Sequence, residues 1–233
     1  MINNNPVICF ILARGGSKGL PQKNILPLNG IPLVVRSIKS ALDVMYIDDV
    51  YVSTDNLEIK TISLKNGAKV IDRPKSLATD TSHYLDSLKH MTKEICVNNP
   101  ETIIVILEAT FPIRIPLNIK KCIELKQSHI DVVTTISKLK LYPSHMVKKT
   151  DDDSLSFYLE SPPIPNRQQQ EPLYFLNGSI TVTTPVFLLN QKDSMYGGKM
   201  KGFLIDDESS MDIDSEFDYN LCKLYLENNL QKR

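Results

Sequence analysis

Two groups of residues, far apart along the chain, have the types and spacing to do chemistry. The first is Arg14-Gly15-Gly16-Ser17-Lys18-Gly19-Leu20-Pro21-Gln22-Lys23-Asn24. Its glycines let backbone amides approach an anion closely, and Arg14, Lys18 and Lys23 supply positive charge. That combination suits a polyphosphate. It is not a P-loop, because no Gly-Lys-Ser/Thr follows at the right offset, and it is not the G-x-G-x-x-G dinucleotide pattern. The second group is Met211-Asp212-Ile213-Asp214-Ser215-Glu216-Phe217-Asp218. Side chains alternate faces in extended chain, so Asp212 and Asp214 point the same way while Ile213 turns inward. Two carboxylates on one face make a hard-cation site suited to magnesium. Each reading has a plainer rival. The first stretch also reads as a tight strand-to-helix turn with solvated lysines. The second also reads as an acidic helix start, since Ser215 with Asp218 fits a capping box.

The elements that must carry these groups alternate between strand and helix. Residues 7–13 form an apolar run with the look of a strand buried on both faces. Leu33, Val34, Ile38, Ala41, Leu42 and Met45 then recur at helical spacing, with Pro32 suited to a first turn. Residues 49–55 read as a second strand, Asn56 as the cap of a helix that ends at Asn66-Gly67, and residues 68–71 as a third strand. A loop over 72–82 leads to a helix reaching about residue 97, with Ser82 as its expected cap. Residues 102–107 are the most hydrophobic run and predict a central strand. A helix over about 117–127 and a strand over 131–136 follow. This rhythm predicts an α/β fold, a mostly parallel sheet with helices on both faces. Ligands in such sheets sit past the carboxyl ends of the strands. The glycine loop, Ser53-Thr54-Asp55, the stretch from Arg73 to Ser82 and the stretch from Glu108 to Arg114 all fall there.

The pattern changes after Ser137. Short strand-like pieces, proline-rich segments and an acidic run fill the region up to Asn190, and Asn177-Gly178 interrupts the last of these strands. Residues 139–190 therefore read as an inserted β-rich lobe, or as an irregular excursion on one surface. Residues 1–138 and 191–233 would form the main domain. Phe203-Leu204-Ile205 returns to the sheet.

Lys+Arg and Asp+Glu number 27 each, so the net charge is zero and no broad basic surface for nucleic acid is expected. A small anionic ligand needs only a few local cations. Cys9, Cys96, Cys122 and Cys222 lie far apart without a C-x-x-C pair, which favours buried reduced thiols over zinc or disulfides. No basic leader opens the chain and no apolar run is long enough to span a membrane, so a cytoplasmic protein is expected.

Taken together, these segments resemble the acylneuraminate cytidylyltransferase family, the CMP-sialic acid synthetases. The resemblance rests on 12–21 with Lys23-Asn24, on Ser53-Thr54-Asp55, and on Arg73-Pro74 with Leu77-Ala78 and Asp80-Thr81. It continues in Thr110, Pro112 and Arg114, in Arg167-Gln168-Gln169, in Asn177-Gly178, and in Asp212-Ile213-Asp214 with Glu216 and Asp218. It implies a three-layer, Rossmann-like sheet of the nucleotidyltransferase type, with the inserted lobe serving a homodimer and contributing to the sugar site. It implies that CTP and a 2-keto nonulosonic acid give a CMP-sugar and pyrophosphate, with magnesium. Arg14, Lys18 and Lys23 would then hold the triphosphate with amides from Gly15, Gly16 and Ser17. Asn24 and Arg73 would place the nucleotide, and the loop carrying Ala78, Asp80 and Ser82 would lie against cytosine and ribose. Asp214 would be the main magnesium ligand. Asp212 would assist the metal or orient and deprotonate the attacking hydroxyl. Arg167 would meet the sugar carboxylate.

Three positions depart from the family pattern, all on the sugar side. Glu108 stands where a glutamine is frequent, His145 falls near a lysine that contacts the sugar, and Thr181 replaces a frequent tyrosine. A carboxylate at 108 would repel a sugar carboxylate but receive an amino or amide group. The expected sugar is therefore a relative such as legionaminic or pseudaminic acid rather than plain N-acetylneuraminic acid. The alternatives are a CMP-Kdo-type synthetase acting on an eight-carbon acid, or a non-catalytic nucleotide-binding protein on the same fold.

Overall fold

A computed structural model describes residues 5–17, 19–96, 99–159 and 171–230. The chain begins with β1 (Val7–Leu12) and a small hairpin of β2 (Pro27–Leu28) and β3 (Ile31–Pro32), followed by α1 (Leu33–Leu42). Next come β4 (Asp49–Thr54), α2 (Leu57–Lys65), β5 (Lys69–Asp72), α3 (Tyr84–Ile95) and β6 (Ile103–Glu108). Then follow α4 (Pro116–Leu125), β7 (Val132–Lys138), β8 (Val147–Lys149), β9 (Leu155–Phe157), β10 (Tyr174–Thr183), α5 (Pro185–Asn190), β11 (Met200–Leu204) and α6 (Glu216–Leu230).

The main sheet runs β11-β7-β10-β6-β1-β4-β5. All its pairings are parallel except those of β10, which is antiparallel to both β6 and β7. The three-layer α/β expectation is thus met. Alternate residues of β1 show the layers directly. Val7, Cys9 and Ile11 face a core with α1, α2 and α4, while Phe10 and Leu12 face a second core with α3 and α5. From β1 the chain winds outward through β4 and β5, then crosses back to β6 on the other side of β1. The topological switch therefore lies between β1 and β6, where a ligand crevice is expected in an open sheet of this kind.

A third, smaller core fixes the far end of the chain against its beginning. Ile213 and Cys222 pack with Leu28 and Leu33, and Leu20, Met211 and Tyr219 cover them. The β2–β3 hairpin presents Leu28 to this core through a two-residue Asn29-Gly30 turn, with φ of 49° and 75°. Both central residues of such a turn need positive φ, which Asn and Gly tolerate best. Tyr219 Oη donates to the Pro27 carbonyl at 2.8 Å, and Ile213 N to the Thr110 carbonyl at 3.0 Å.

Several local expectations hold. Asn56 Oδ1 accepts from Glu58 N and Ile59 N at 2.9 and 3.0 Å, capping α2. Asp218 Oδ2 accepts from Ser215 N at 2.8 Å while Asp218 N donates back to Ser215 Oγ at 3.3 Å, the reciprocal capping box at the start of α6. All four cysteines are buried and free. Burial pushes the Cys9 and Cys122 thiols up to about 12, which leaves them unreactive.

Two expectations need correction. Ser82 does not cap α3; His83 does, its Nδ1 accepting from Leu85 N at 3.3 Å. Ser82 Oγ is used inside its own loop, donating to the Ser76 carbonyl at 2.8 Å and accepting from Thr79 N at 3.0 Å. The lobe is also smaller than residues 139–190. Tyr174–Thr183 is β10 of the main sheet, with a register shift between Leu176 and Thr181 where Asn177-Gly178 falls. Its polar side chains pair with those of β7 there, though Asn177 Nδ2 stays buried without a partner. Thr181 Oγ1 meets Thr134 Oγ1 at 3.0 Å, and Thr135 Oγ1 donates to Asn177 Oδ1 at 2.6 Å. What lies outside the main sheet is the β8–β9 hairpin, while the first half of β10 stays paired with β7 alone, beyond its pairing with β6.

Candidate functional site

A cleft of about 390 Å³ opens at the carboxyl ends of β1, β5 and β6. That size falls within the range of small-ligand pockets. It is lined by Arg14, Ser17, Lys23, Asn24, Arg73, Asp80, Ser82, Glu108 and Asp214 from the sequence-predicted set. The two groups separated by most of the chain therefore meet. Lys23 Nζ binds Asp214 Oδ1 at 2.8 Å across the cleft. Gly19 lies so close to this junction that a Cβ built on it would stand 2.5 Å from the Asp214 carbonyl oxygen. Only a residue without a side chain permits that approach.

The cations hold different kinds of partner. Arg14 reaches across to the Ala78–Ser82 loop, donating from Nη1 to the Thr79 carbonyl at 2.6 Å and pairing with Asp80 at 3.1 Å. Arg73 is a mostly buried part of the cleft lining, where its Nε and Nη2 donate to Ser53 Oγ and the Ser53 carbonyl at 3.1 and 2.8 Å. Burial is the main reason its pKa falls below the usual arginine value, with the nearby Asp55 charge opposing the fall. Asn24 Nδ2 donates to the Arg14 carbonyl at 2.9 Å. Arg73 and Asn24 thus fix the strand ends that carry the loop. The Gly15 amide donates to Asp55 Oδ1 at 2.9 Å, so that amide is committed within the protein. A Cβ on Gly16 would meet only open space. Ala78 sits between the cleft residues Leu77 and Thr79.

The acidic side has its own tension. Asp212 is held above the usual carboxylate range, chiefly by loss of water; a hydrogen bond from Thr110 opposes this, and the neighbouring Asp214 charge adds to it. Glu108 is pushed up to about 7, again mainly by burial, with Tyr84 opposing and Asp212 reinforcing the shift. The Tyr84 phenol stands near enough to influence Glu108, yet its oxygen is buried without the geometry of a formed hydrogen bond. Among the described residues no cluster of three or more His, Cys, Asp or Glu side chains could hold a metal ion.

Other predicted residues lie elsewhere. Thr181 is fully buried and bonded to Thr134, so its hydroxyl does not face the cleft. His145 is exposed on the turn before β8, away from the cleft lining. Lys18 and Arg167 fall outside the described residues. The sequence reading missed Tyr84 and Thr79. Thr79 lay inside the loop already singled out, but a lone tyrosine opening a helix gives no signal of its own. Thr110, quoted only as part of a turn, lines the cleft and supports Asp212.

The family model described as cytidylyltransferase matches residues 8–218. An N-acylneuraminate cytidylyltransferase of Streptococcus agalactiae is 33% identical over 215 residues, covering 91% of this chain and 51% of that protein. The chain therefore spans about half the length of that relative. A CMP-N,N'-diacetyllegionaminic acid synthase of Legionella pneumophila is 30% identical, covering 96% of this chain and 97% of its own length. Among solved structures, a CMP:2-keto-3-deoxy-manno-octonic acid synthetase complexed with CTP has a TM-score of 0.73 at 17% identity, covering 97% of this chain and 100% of its own. At that identity the likeness speaks for the fold. With the family match spanning residues 8–218, most of its length, the chain belongs to the cytidylyltransferase family.

Proposed function

We propose that the protein transfers the cytidylyl group of CTP to a 2-keto nonulosonic acid, releasing pyrophosphate. The observation that carries this reading is the Lys23–Asp214 pair, which sets basic loop and acidic ending on opposite walls of one cleft. The chemistry has to bring an anionic sugar acid up to an anionic triphosphate. Arg14 and Lys23, with Lys18 from the same loop, would bind the phosphates and offset their charge. Arg14 would exchange the Thr79 carbonyl and Asp80 for phosphate oxygens, releasing the Ala78–Ser82 loop to close on cytosine and ribose. Glu108, with Tyr84 beside it, would face the sugar, and Arg167 would fork onto the sugar carboxylate.

Magnesium fits the residues present. Asp212 and Asp214 supply the one or two carboxylates that such an ion uses beside substrate phosphates. A cation there relieves the repulsion that helps raise Asp212. When bound, the ion would neutralise charge on the phosphates and the departing pyrophosphate. Asp212 would orient the anomeric hydroxyl and accept its proton, or share the ion with Asp214.

The test is pyrophosphate release with CTP, magnesium and a panel of N-acetylneuraminic, legionaminic, pseudaminic and Kdo acids. Release is expected with a nonulosonic acid carrying an extra nitrogen substituent, because Glu108 can accept a hydrogen bond from it. A clear preference for N-acetylneuraminic acid removes the Glu108 argument, and a preference for Kdo removes the nonulosonic assignment. Silence with every acid removes the function. Asp214→Ala is expected to abolish release while leaving the melting curve unchanged, since the Asp214 side chain is 76% exposed. Near-normal rates in that variant would show that Asp214 does not hold the ion.

The chain is further proposed to work as a homodimer. Phe157, Tyr158, Tyr174, Phe175 and Leu176 are large apolar side chains left exposed on the β8–β9 hairpin and the first half of β10. Apolar patches of this kind mark protein contacts.

A further inference from the structure

We propose that the outer face of α1 carries a second anion site, separate from the cleft, built from Arg36, Lys39 and Arg114 and suited to a phosphate group. A pocket of about 190 Å³ lies there, lined by these three residues with Ser40, Asp43 and Pro112. None of them lines the cleft. Arg36, Lys39, Ser40 and Asp43 fall at i, i+3, i+4 and i+7, one stripe of the helix. Arg114 reaches the same pocket from the turn after β6.

The second observation concerns what these guanidinium groups lack. Arg36 donates from Nη2 to the Leu28 carbonyl at 2.6 Å. Arg114 donates from Nη1 to Ser37 Oγ at 2.9 Å, and from Nη2 to the Glu108 and Ser179 carbonyls at 2.7 and 3.1 Å. All of these acceptors are neutral. The Nε of each arginine is buried without a hydrogen-bond partner. Burial lowers the pKa of both, that of Arg114 to about 10.

Buried cations are costly unless an opposite charge accompanies them. Neither Arg36 nor Arg114 makes an ion pair among the described residues; the Glu108 and Asp212 charges act on Arg114 from the cleft side, which leaves Arg36 and Lys39 as the cations an oxyanion in the pocket would balance. Donors would come singly from separate side chains. That arrangement suits an anion with several well-spread acceptor oxygens; a planar carboxylate would be forked by one guanidinium. The volume holds a phosphate with some water, at roughly 30 Å³ for each water. Asp43 is the one acidic group lining the pocket, and it is exposed. Because Arg114 also grips the Glu108 carbonyl, an occupied site would press on the cleft wall from behind.

Titration calorimetry of inorganic phosphate into the full chain tests this, with glycerol phosphate in a parallel arm. Phosphate binding is expected to survive Lys23→Ala, which removes a cation of the cleft and none of the pocket. It is expected to weaken roughly tenfold in Lys39→Glu and in Arg36→Gln, by the usual size of a charged hydrogen bond. Lys39 is exposed, so its variant keeps the test readable even if Arg36→Gln folds poorly. Binding of glycerol phosphate as well would point to an ester-borne phosphate as the natural ligand, and binding of inorganic phosphate alone to the free ion. No detectable phosphate binding, binding lost with Lys23→Ala, or binding unchanged by Lys39→Glu would each overturn the site.

Discussion

Glu108→Gln should stabilise the protein, and only at the alkaline end of its range. The substitution keeps the shape of the side chain and removes its ability to ionise. Glu108 is raised from 4.5 to about 7 by burial in the cleft wall. Between those values the native state holds a proton that the unfolded chain has released. Stability therefore falls as pH climbs through that interval, and the full penalty is present above about pH 7. At 1.36 kcal/mol for each pKa unit, the penalty amounts to about 3 kcal/mol. In a chain of this length that corresponds to a rise in Tm of about 6–12 °C. Glu108→Gln should therefore melt higher than the parent at pH 8, by up to that margin, and equal it near pH 4.5. Differential scanning fluorimetry across pH 5 to 8, at fixed ionic strength and without nucleotide, reads the difference. A Tm gap that stays constant across the series would refute the reasoning, because a packing effect does not titrate.

Gly19→Ala should cost on the order of 100-fold in turnover, since the added Cβ must push the Asp214 backbone away. Its melting temperature should fall as well, because the obstructing atom is backbone, and parental turnover in steady-state kinetics would show that the close approach does not matter. Phe175→Glu places a charge in the exposed apolar run and should convert a dimer to a monomer in sedimentation velocity. A parent that already sediments as a monomer would remove the dimer proposal.

Local signals in the sequence were read well because their causes are local. The unbroken apolar run of β1 shows that both faces are covered, and the cap at Asn56 and the box at Ser215 and Asp218 depend on residues two to four positions apart. The position of β10 was not legible. Its inner half carries Ser179, Thr181 and Thr183, which look like surface residues until the partners are known: Thr134 for Thr181 and the Asp131 carbonyl for Thr183. Those partners come from a stretch 47 to 52 residues earlier. Charge and spacing singled out the loop and Asp214, which the structure brings into one cleft, but not how their hydrogen bonds are used. Arg73 looked like a ligand contact and is spent on Ser53, and the Gly15 amide is spent on Asp55. Buried tyrosine 84 had no local pattern to announce it.

The ion pair that spans the cleft joins residues 191 positions apart in the chain. Contacts this distant close late, because the whole intervening loop must be ordered before they are rewarded. A nascent polypeptide could complete β1 and expose its glycine-rich turn long before α6 leaves the ribosome. Until then the turn has no acidic counterpart, and triphosphates attracted to it would find nothing to react with. The cleft would thus become complete only once α6 has docked against Leu28 and Leu33, so that neither segment alone assembles its two walls.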